Sequence, residues 1–184
     1  LASQRGYRVV AVSDSSGAIY NADGIDVDAA KKDKTQQGKL AKSQQGKALS
    51  GDDLLALEVD VLVLAALENQ LHRDNVGDVK AGAVLEIANG PLTSDADAAL
   101  EKRGVPVLPD VLANTGGVIV SYFEWLQNRS GEKWQEEEVN LRLKRRLSDE
   151  ANRVLVRAEE ERVTYRRAAY RQGIERIAEA IMAR

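Results

Sequence analysis

The sequence predicts an α/β fold, a parallel sheet alternating with helices and followed by a helical C-terminal segment. Three observations lead there. Short runs at residues 8–13, 59–64 and 83–88 are apolar without alternation, the pattern of strands buried on both faces. Helix signals fall between these runs, as a parallel sheet requires. The last third of the chain carries apolar residues at spacings of three and four, the period of amphipathic helices.

The elements follow in chain order. Leu1 to Gly6 reads as the last turn of a helix with its glycine stop, so the chain is expected to begin inside an element. Residues 8–13 form a β-branched strand ending at Asp14, and Gly17-Ala18-Ile19-Tyr20-Asn21 reads as a turn or small hairpin. Asp26 or Asp28 caps a helix to about residue 37. Residues 35–47, rich in Gln, Lys, Ser and Gly, predict a mobile surface connection. Asp52-Asp53 opens a short helix, and residues 59–64 and 83–88 make the second and third strands. Ser94 caps a helix over 95–102 that stops at Gly104, and residues 105–109 are a fourth, weaker strand. Val139, Leu143, Leu147, Ala151, Val154 and Ala158 form one stripe of a long helix, and a second helix covers about 164–183.

Composition narrows the chemistry. The 184 residues are 43% hydrophobic and 30% charged, the balance of a globular chain. With no cysteine and a single histidine, disulfides, thiolate metal sites and poly-His zinc sites are excluded, so no metal is expected. His72 sits among polar residues and reads as a solvated surface group. The net charge of −3 gives no reason to expect nucleic acid. Residues 141–184 hold 12 Lys/Arg against 7 Asp/Glu, but the interleaved Glu and helical spacing describe a solvated helix face. No apolar run reaches the roughly 18 residues that span a bilayer, and no signal-peptide pattern is present, so the expected setting is cytoplasmic, without a membrane.

Ligands of parallel α/β sheets bind off the carboxyl ends of the strands. Asp14, Ala65-Ala66, Asn89 and Asn114 all fall just past expected strand ends, four small or polar positions on one edge. The run from Asn114 to Trp125 stands out further. Eight residues in the chain are aromatic, and three of them, Tyr122, Phe123 and Trp125, fall within four positions here, behind Gly116-Gly117. Glycines admit close backbone approach, and a helix opening after them presents free N–H groups to an anion. The alternative is a Gly-rich turn into an amphipathic helix whose aromatics are core.

Ordered motifs now add up. Val12-Ser13-Asp14-Ser15, Ala65-Ala66-Leu67-Glu68-Asn69-Gln70, Ala88-Asn89-Gly90-Pro91, Pro109-Asp110-Val111-Leu112-Ala113-Asn114, Gly116-Gly117-Val118, Ser121-Tyr122-Phe123-Glu124-Trp125 and Arg167-Ala168-Ala169-Tyr170 span nearly the whole chain. In this order the sequence resembles the glutamate dehydrogenase branch of the amino-acid dehydrogenases. The resemblance implies a truncated Rossmann-like parallel sheet, with residues 1–125 a partial dinucleotide-binding domain and 126–184 a C-terminal helical segment. It implies reversible oxidative deamination of L-glutamate to 2-oxoglutarate and ammonia, with NAD as cofactor and NADP also accommodated. By resemblance, Asp14 would accept the adenosine ribose hydroxyls, with Ser15 beside it leaving room for NADP. Ala65 and Ala66 would let the backbone approach the cofactor. Asn89 would bond the nicotinamide ribose and Asn114 the carboxamide. Val118 would pack on the substrate's aliphatic chain and Ser121 would bond its side-chain carboxylate. The implied partners are a small amino-acid substrate and further copies of the chain, a hexamer in the family.

Several family features have no counterpart here. The proton-transferring Lys and Asp belong to an N-terminal domain that no segment matches, so no catalytic residue is assigned and the 184 residues alone are expected to be inactive. The Gly-rich turn and first strand of the nucleotide domain are also missing. That strand is central in the usual order, and its loss leaves a slot roughly 9.6 Å wide, two strand spacings. Leu64, Ile87, Leu92, Thr115 and Arg171 depart from the family's usual residues. Arg171 replaces an apolar residue and is expected to be exposed or paired, because a buried lone charge is costly. Two readings stand: part of a glutamate dehydrogenase, or a non-catalytic or engineered fragment that keeps the fold's remnant.

Overall fold

The computed structural model describes residues 1–183. Its strands fall into two three-stranded sheets, and the chain divides into two compact units.

The first unit, residues 1–59 with 77–81, is built on an antiparallel sheet. A single 3-10 turn, Ser3–Arg5, ends at Gly6. β1 (Ala11–Asp14) and β2 (Gly17–Tyr20) make a tight hairpin, with Asp14 opposite Gly17. β3 (Lys47–Leu49) adds on the far side of β2. α1 (Val27–Gln37) is capped by Asp26, whose carboxylate accepts the Ala29 N–H, and α2 (Gly51–Leu55) is capped by Ser50. Ile19, Ile25, Ala30 and Leu40 form the core, with Val12 against it.

Two expectations fail in this unit. β1 does not join a parallel sheet; among the described residues its strand partner is β2, which turns back on it. An apolar run does not encode its partner, and here the turn at Gly17 supplies an antiparallel one. Nor is the segment around 35–47 a plain surface connection. Leu40 and Ser43 are buried, and the Asp33 carboxylate accepts both the Ser43 hydroxyl (2.7 Å) and the Gln44 N–H (3.3 Å).

The second unit, residues 60–76 and 82–184, holds the parallel sheet expected. β4 (Val61–Leu64), β5 (Ala83–Glu86) and β6 (Val107–Leu108) lie in that order, Leu62 opposite Val84 and Val84 opposite Val107. α3 (Ser94–Lys102) connects β5 to β6 and is capped by Thr93, one residue earlier than expected. α4 (Asp110–Ala113), α5 (Gly116–Ser130), α6 (Glu136–Glu161) and α7 (Tyr165–Met182) follow. Leu112, Val154, Ala158 and Ala168 tie α4, α6 and α7 into one core.

The strands are not buried on both faces. Leu62 and Leu64 are buried while Val61 and Val63 are half exposed, so an unalternating sequence gives an alternating environment. β1 and β4 are each an edge strand of their own sheet. Arg171 is paired with Glu161, as expected for a charge at that position.

Candidate functional site

In the second unit the loops after β4 and β5 are bound together at the carboxyl ends of the strands. The Leu64 carbonyl accepts the N–H groups of both Ile87 and Ala88 (2.8 and 2.9 Å), and the Asn69 N–H donates to the Gly90 carbonyl (2.9 Å). Leu71 and Thr93 extend this tie through the Leu71–Leu92 bridge. Ala65 and Ala66 stand exposed just past β4, and Asn89 stands exposed past β5. Gly90 takes φ 55°, a left-handed turn that glycine adopts without penalty, and Pro91 is buried behind it.

Asn114 reaches this loop from 25 residues downstream. It ends the four-residue helix α4, and its side-chain nitrogen donates to Asn89 Oδ1 (2.7 Å) and to the Ile87 carbonyl (3.3 Å). Both amide hydrogens of Asn114 are thereby used, and so is the oxygen of Asn89. What stays open on the pair is an acceptor, Asn114 Oδ1, and a donor, Asn89 Nδ2. That pattern complements a primary carboxamide, which offers one donor and one acceptor side by side.

α5 opens at Gly116, directly after this pair. Ile119 makes the helix's first bond, to the Thr115 carbonyl (3.0 Å), so the N–H groups of Gly116, Gly117 and Val118 face outward at the positive end of the helix. Val118 (73% exposed) and Ser121 lie three residues apart on one exposed face. Of the three clustered aromatics only Phe123 is core, against Trp134; Tyr122 and Trp125 stack on each other in the open.

Beneath the asparagines lies a cluster that sequence reading did not single out. The Arg166 guanidinium, in the first turn of α7, donates to Glu86 (2.6 Å), to both oxygens of Asp97 (2.9 and 3.2 Å) and to Asp110 (3.4 Å). Glu86 is fully buried, and its second oxygen accepts the Asp110 N–H (2.8 Å). Burial works against the arginine's charge, but the bonds to Glu86 and Asp97 prevail and hold its pKa above the ordinary value. One signal was available: Glu86 is a carboxylate inside an otherwise apolar strand, and such a group must find partners.

Asp14 belongs to the first unit, at the end of β1. Its carboxylate accepts the Lys34 ammonium (2.7 Å) and both the N–H (2.8 Å) and the hydroxyl (2.6 Å) of Ser16. The bond from Lys34, then those from Ser16, lower its pKa to about 2. Ser15 is exposed at the hairpin tip. His72 is half exposed, its ring nitrogen accepting the Asp74 N–H (3.3 Å).

Polar side chains and open helix N–H groups thus stand at the carboxyl ends of a parallel sheet, the edge at which α/β folds bind their ligands. Comparison with known proteins narrows this. The sequence model of the glutamate/leucine/phenylalanine/valine dehydrogenases matches residues 1–184, and the chain belongs to that family. An NADP-specific glutamate dehydrogenase of Synechocystis sp. is 47% identical over 98% of this chain and 44% of its own length. An NAD-specific glutamate dehydrogenase of Staphylococcus aureus is 41% identical over 95% and 42%. The hetero-hexameric glutamate dehydrogenase of Thermus thermophilus in its Leu-bound form superposes with a TM-score of 0.88 at 37% identity, over 97% of this chain and 42% of that one. The chain thus spans less than half the length of the relatives it matches. Among the described residues no helix is long and apolar enough to cross a membrane.

Proposed function

We propose that this chain is the cofactor- and substrate-positioning part of an NAD(P)-dependent glutamate dehydrogenase, a cytoplasmic homo-hexamer that oxidatively deaminates L-glutamate. The observation that carries the proposal is the Asn89–Asn114 pair, whose open donor and acceptor fit the carboxamide of a nicotinamide. A nicotinamide cofactor supplies hydride acceptance and donation when bound. The chain's residues bind and orient. Asn114 Oδ1 and Asn89 Nδ2 hold the carboxamide and the neighbouring ribose, and Ala65 and Ala66 carry no side chain long enough to obstruct them. Val118 and Ser121 receive the aliphatic chain and distal carboxylate of the substrate, and the N–H groups at the start of α5 favour that anion.

Asp14 receives the adenosine ribose, which favours NAD. The Lys34 ammonium at 2.7 Å offsets part of the carboxylate's repulsion of a 2′-phosphate, and Ser15 stands exposed beside it, so NADP is accommodated as well. Proton transfer is assigned to no residue of this chain.

Titration of the ¹⁵N-labelled 184-residue chain with NADH tests the proposal. The side-chain amide signals of Asn89 and Asn114 are expected to shift and saturate together, and Asn114→Ala is expected to weaken binding at least tenfold. Shifts confined to other residues would remove the pair from the cofactor site. In an intact enzyme that contains this segment, Ser121→Ala should weaken glutamate more than NAD; equal weakening would remove Ser121 from the substrate site.

A further inference from the structure

We infer that Arg166 is a positioning residue for the Asn89–Asn114 pair, acting through Asp110, and that the buried Glu86 fixes the height at which the pair stands. The inference rests on the nicotinamide reading of that pair.

The argument begins with α4. Four residues make a single turn, too short to hold its shape without tertiary ties, because nucleating a helix costs more than one turn returns. Asn114 is the residue that ends this turn, and its N–H bonds the Asp110 carbonyl (3.0 Å). Whatever fixes Asp110 therefore fixes Asn114. Asp110 is held by four bonds. Its N–H donates to Glu86 Oε2 (2.8 Å), Oδ1 accepts the Val111 N–H (2.7 Å) and Arg166 Nη1 (3.4 Å), and Oδ2 accepts the Gly90 N–H (2.8 Å). The last bond reaches the residue next to Asn89. One carboxylate thus ties the two asparagines' backbones together from below, while their side chains meet above.

Arg166 holds that carboxylate in place. Its planar fork spans Glu86 from β5, Asp97 from α3 and Asp110 from α4, a geometry that a lysine's point charge cannot reproduce. Its location makes the role specific. Arginine in the first turn of a helix opposes the helix dipole, and the first turn of α7 carries no acidic residue. Helix stability is therefore not the reason for this arginine; the three carboxylates are.

The test needs no turnover. In ¹H–¹⁵N spectra of the ligand-free chain, Arg166→Lys is expected to shift the Gly90 amide and the Asn114 side-chain amide and to speed Gly90 hydrogen exchange at least tenfold. Trp134→Leu, which removes the edge contact with Phe123 and lowers stability without touching α4 or the cluster, is expected to leave both signals in place. Asp110→Asn, which keeps an oxygen for Gly90 but opposes the arginine, is expected to give the same pattern more weakly, and it decides the question should Arg166→Lys fail to fold. Unmoved Gly90 and Asn114 signals in a folded variant overturn the inference, as does an equal movement in Trp134→Leu. NADH titration then separates the two claims. If the parent chain shifts its asparagines on binding and Arg166→Lys binds equally well, positioning by Arg166 is refuted while the nicotinamide reading stands. If the parent chain does not bind, that reading fails and the ligand-free spectra still decide the role of Arg166.

Discussion

Replacing Glu86 by Gln isolates the energetics of the buried cluster, because the two side chains have the same shape and no cavity is left. Glu86 is fully buried and accepts two bonds on two different oxygens, from Arg166 Nη2 (2.6 Å) and from the Asp110 N–H (2.8 Å). A glutamine has one oxygen, so its NH₂ must face one of these donors. If it faces Arg166, a charge-assisted bond of about 1.5–3 kcal/mol is lost; if it faces Asp110, a buried backbone donor is orphaned at about 1–3 kcal/mol. Arg166 keeps Asp97 and Asp110, and a carboxylate no longer has to be desolvated, so the loss stays below the roughly 3–5 kcal/mol of a stripped buried pair. The expected destabilisation is about 2–3 kcal/mol. Urea unfolding followed by tryptophan fluorescence reads it, since Trp125 and Trp134 both lie in the unit that holds Glu86. At about 1–3 kcal/mol per molar urea, the midpoint should fall by roughly 0.7–3 M. Glu124→Gln, on the exposed face of α5, should stay within about 0.5 kcal/mol. A Glu86→Gln change as small as the Glu124 control would refute the cluster's role in stability.

Asp14 should show the opposite of acid protection. Its folded pKa of about 2 lies below the ordinary 3.8, so its contribution is complete above about pH 4 and disappears as the pH falls through 2. Lys34 is half exposed and screened, which leaves about 1 kcal/mol near neutrality. Carboxyl ¹³C titration should find Asp14 near 2 and, in Lys34→Met, closer to 3.8; a parent value at 3.8 or above would contradict the pairing. Gly46→Ala should loosen the first unit alone, because a Cβ there would stand 2.8 Å from the Tyr20 carbonyl oxygen and 3.0 Å from its carbon. Amide exchange in β2 is expected to quicken at least tenfold, about 1.4 kcal/mol, and unchanged exchange would show that the β2–β3 pairing yields to the methyl.

The sequence disclosed what is local. Asp26, one of the two caps expected, starts α1, and the stripe from Val139 to Ala158 is the apolar face of α6; the cap of α2 is Ser50, two residues before the expected Asp52-Asp53 start. Caps and periods act within a few residues, so they are visible without a fold. β3 was hidden because its three residues, Lys47–Leu49, owe their conformation to β2 rather than to their own propensity. The direction of β1 was hidden for the same reason. At the site, Asn89 was visible as a strand-end position; Asn114 was expected at one too, but it ends α4, a helical turn that intervenes after β6. Their contact was not visible, and the cluster beneath them still less so, because Arg166 meets Glu86 across 80 residues and only tertiary packing brings the two together.

The helix α5 shows why its exposed residues are better explained by binding than by packing. Val118, Ser121, Tyr122 and Trp125 stand at i, i+3, i+4 and i+7, the spacing of a buried helical stripe, yet all four are exposed. Phe123 points the other way and is buried against Trp134, so it is the opposite side of α5 that anchors the helix. The usual relation is inverted: the stripe that should be core faces out, with a serine hydroxyl set into it. On the proposed substrate reading, Val118 suits an aliphatic chain, Ser121 the oxygen of a carboxylate at its end, and the open N–H groups one turn earlier the charge. Asn114 sits immediately before that turn, so the cluster that fixes Asp110 sets the start of α5 as well, and through the helix's own period it sets where Val118 and Ser121 stand.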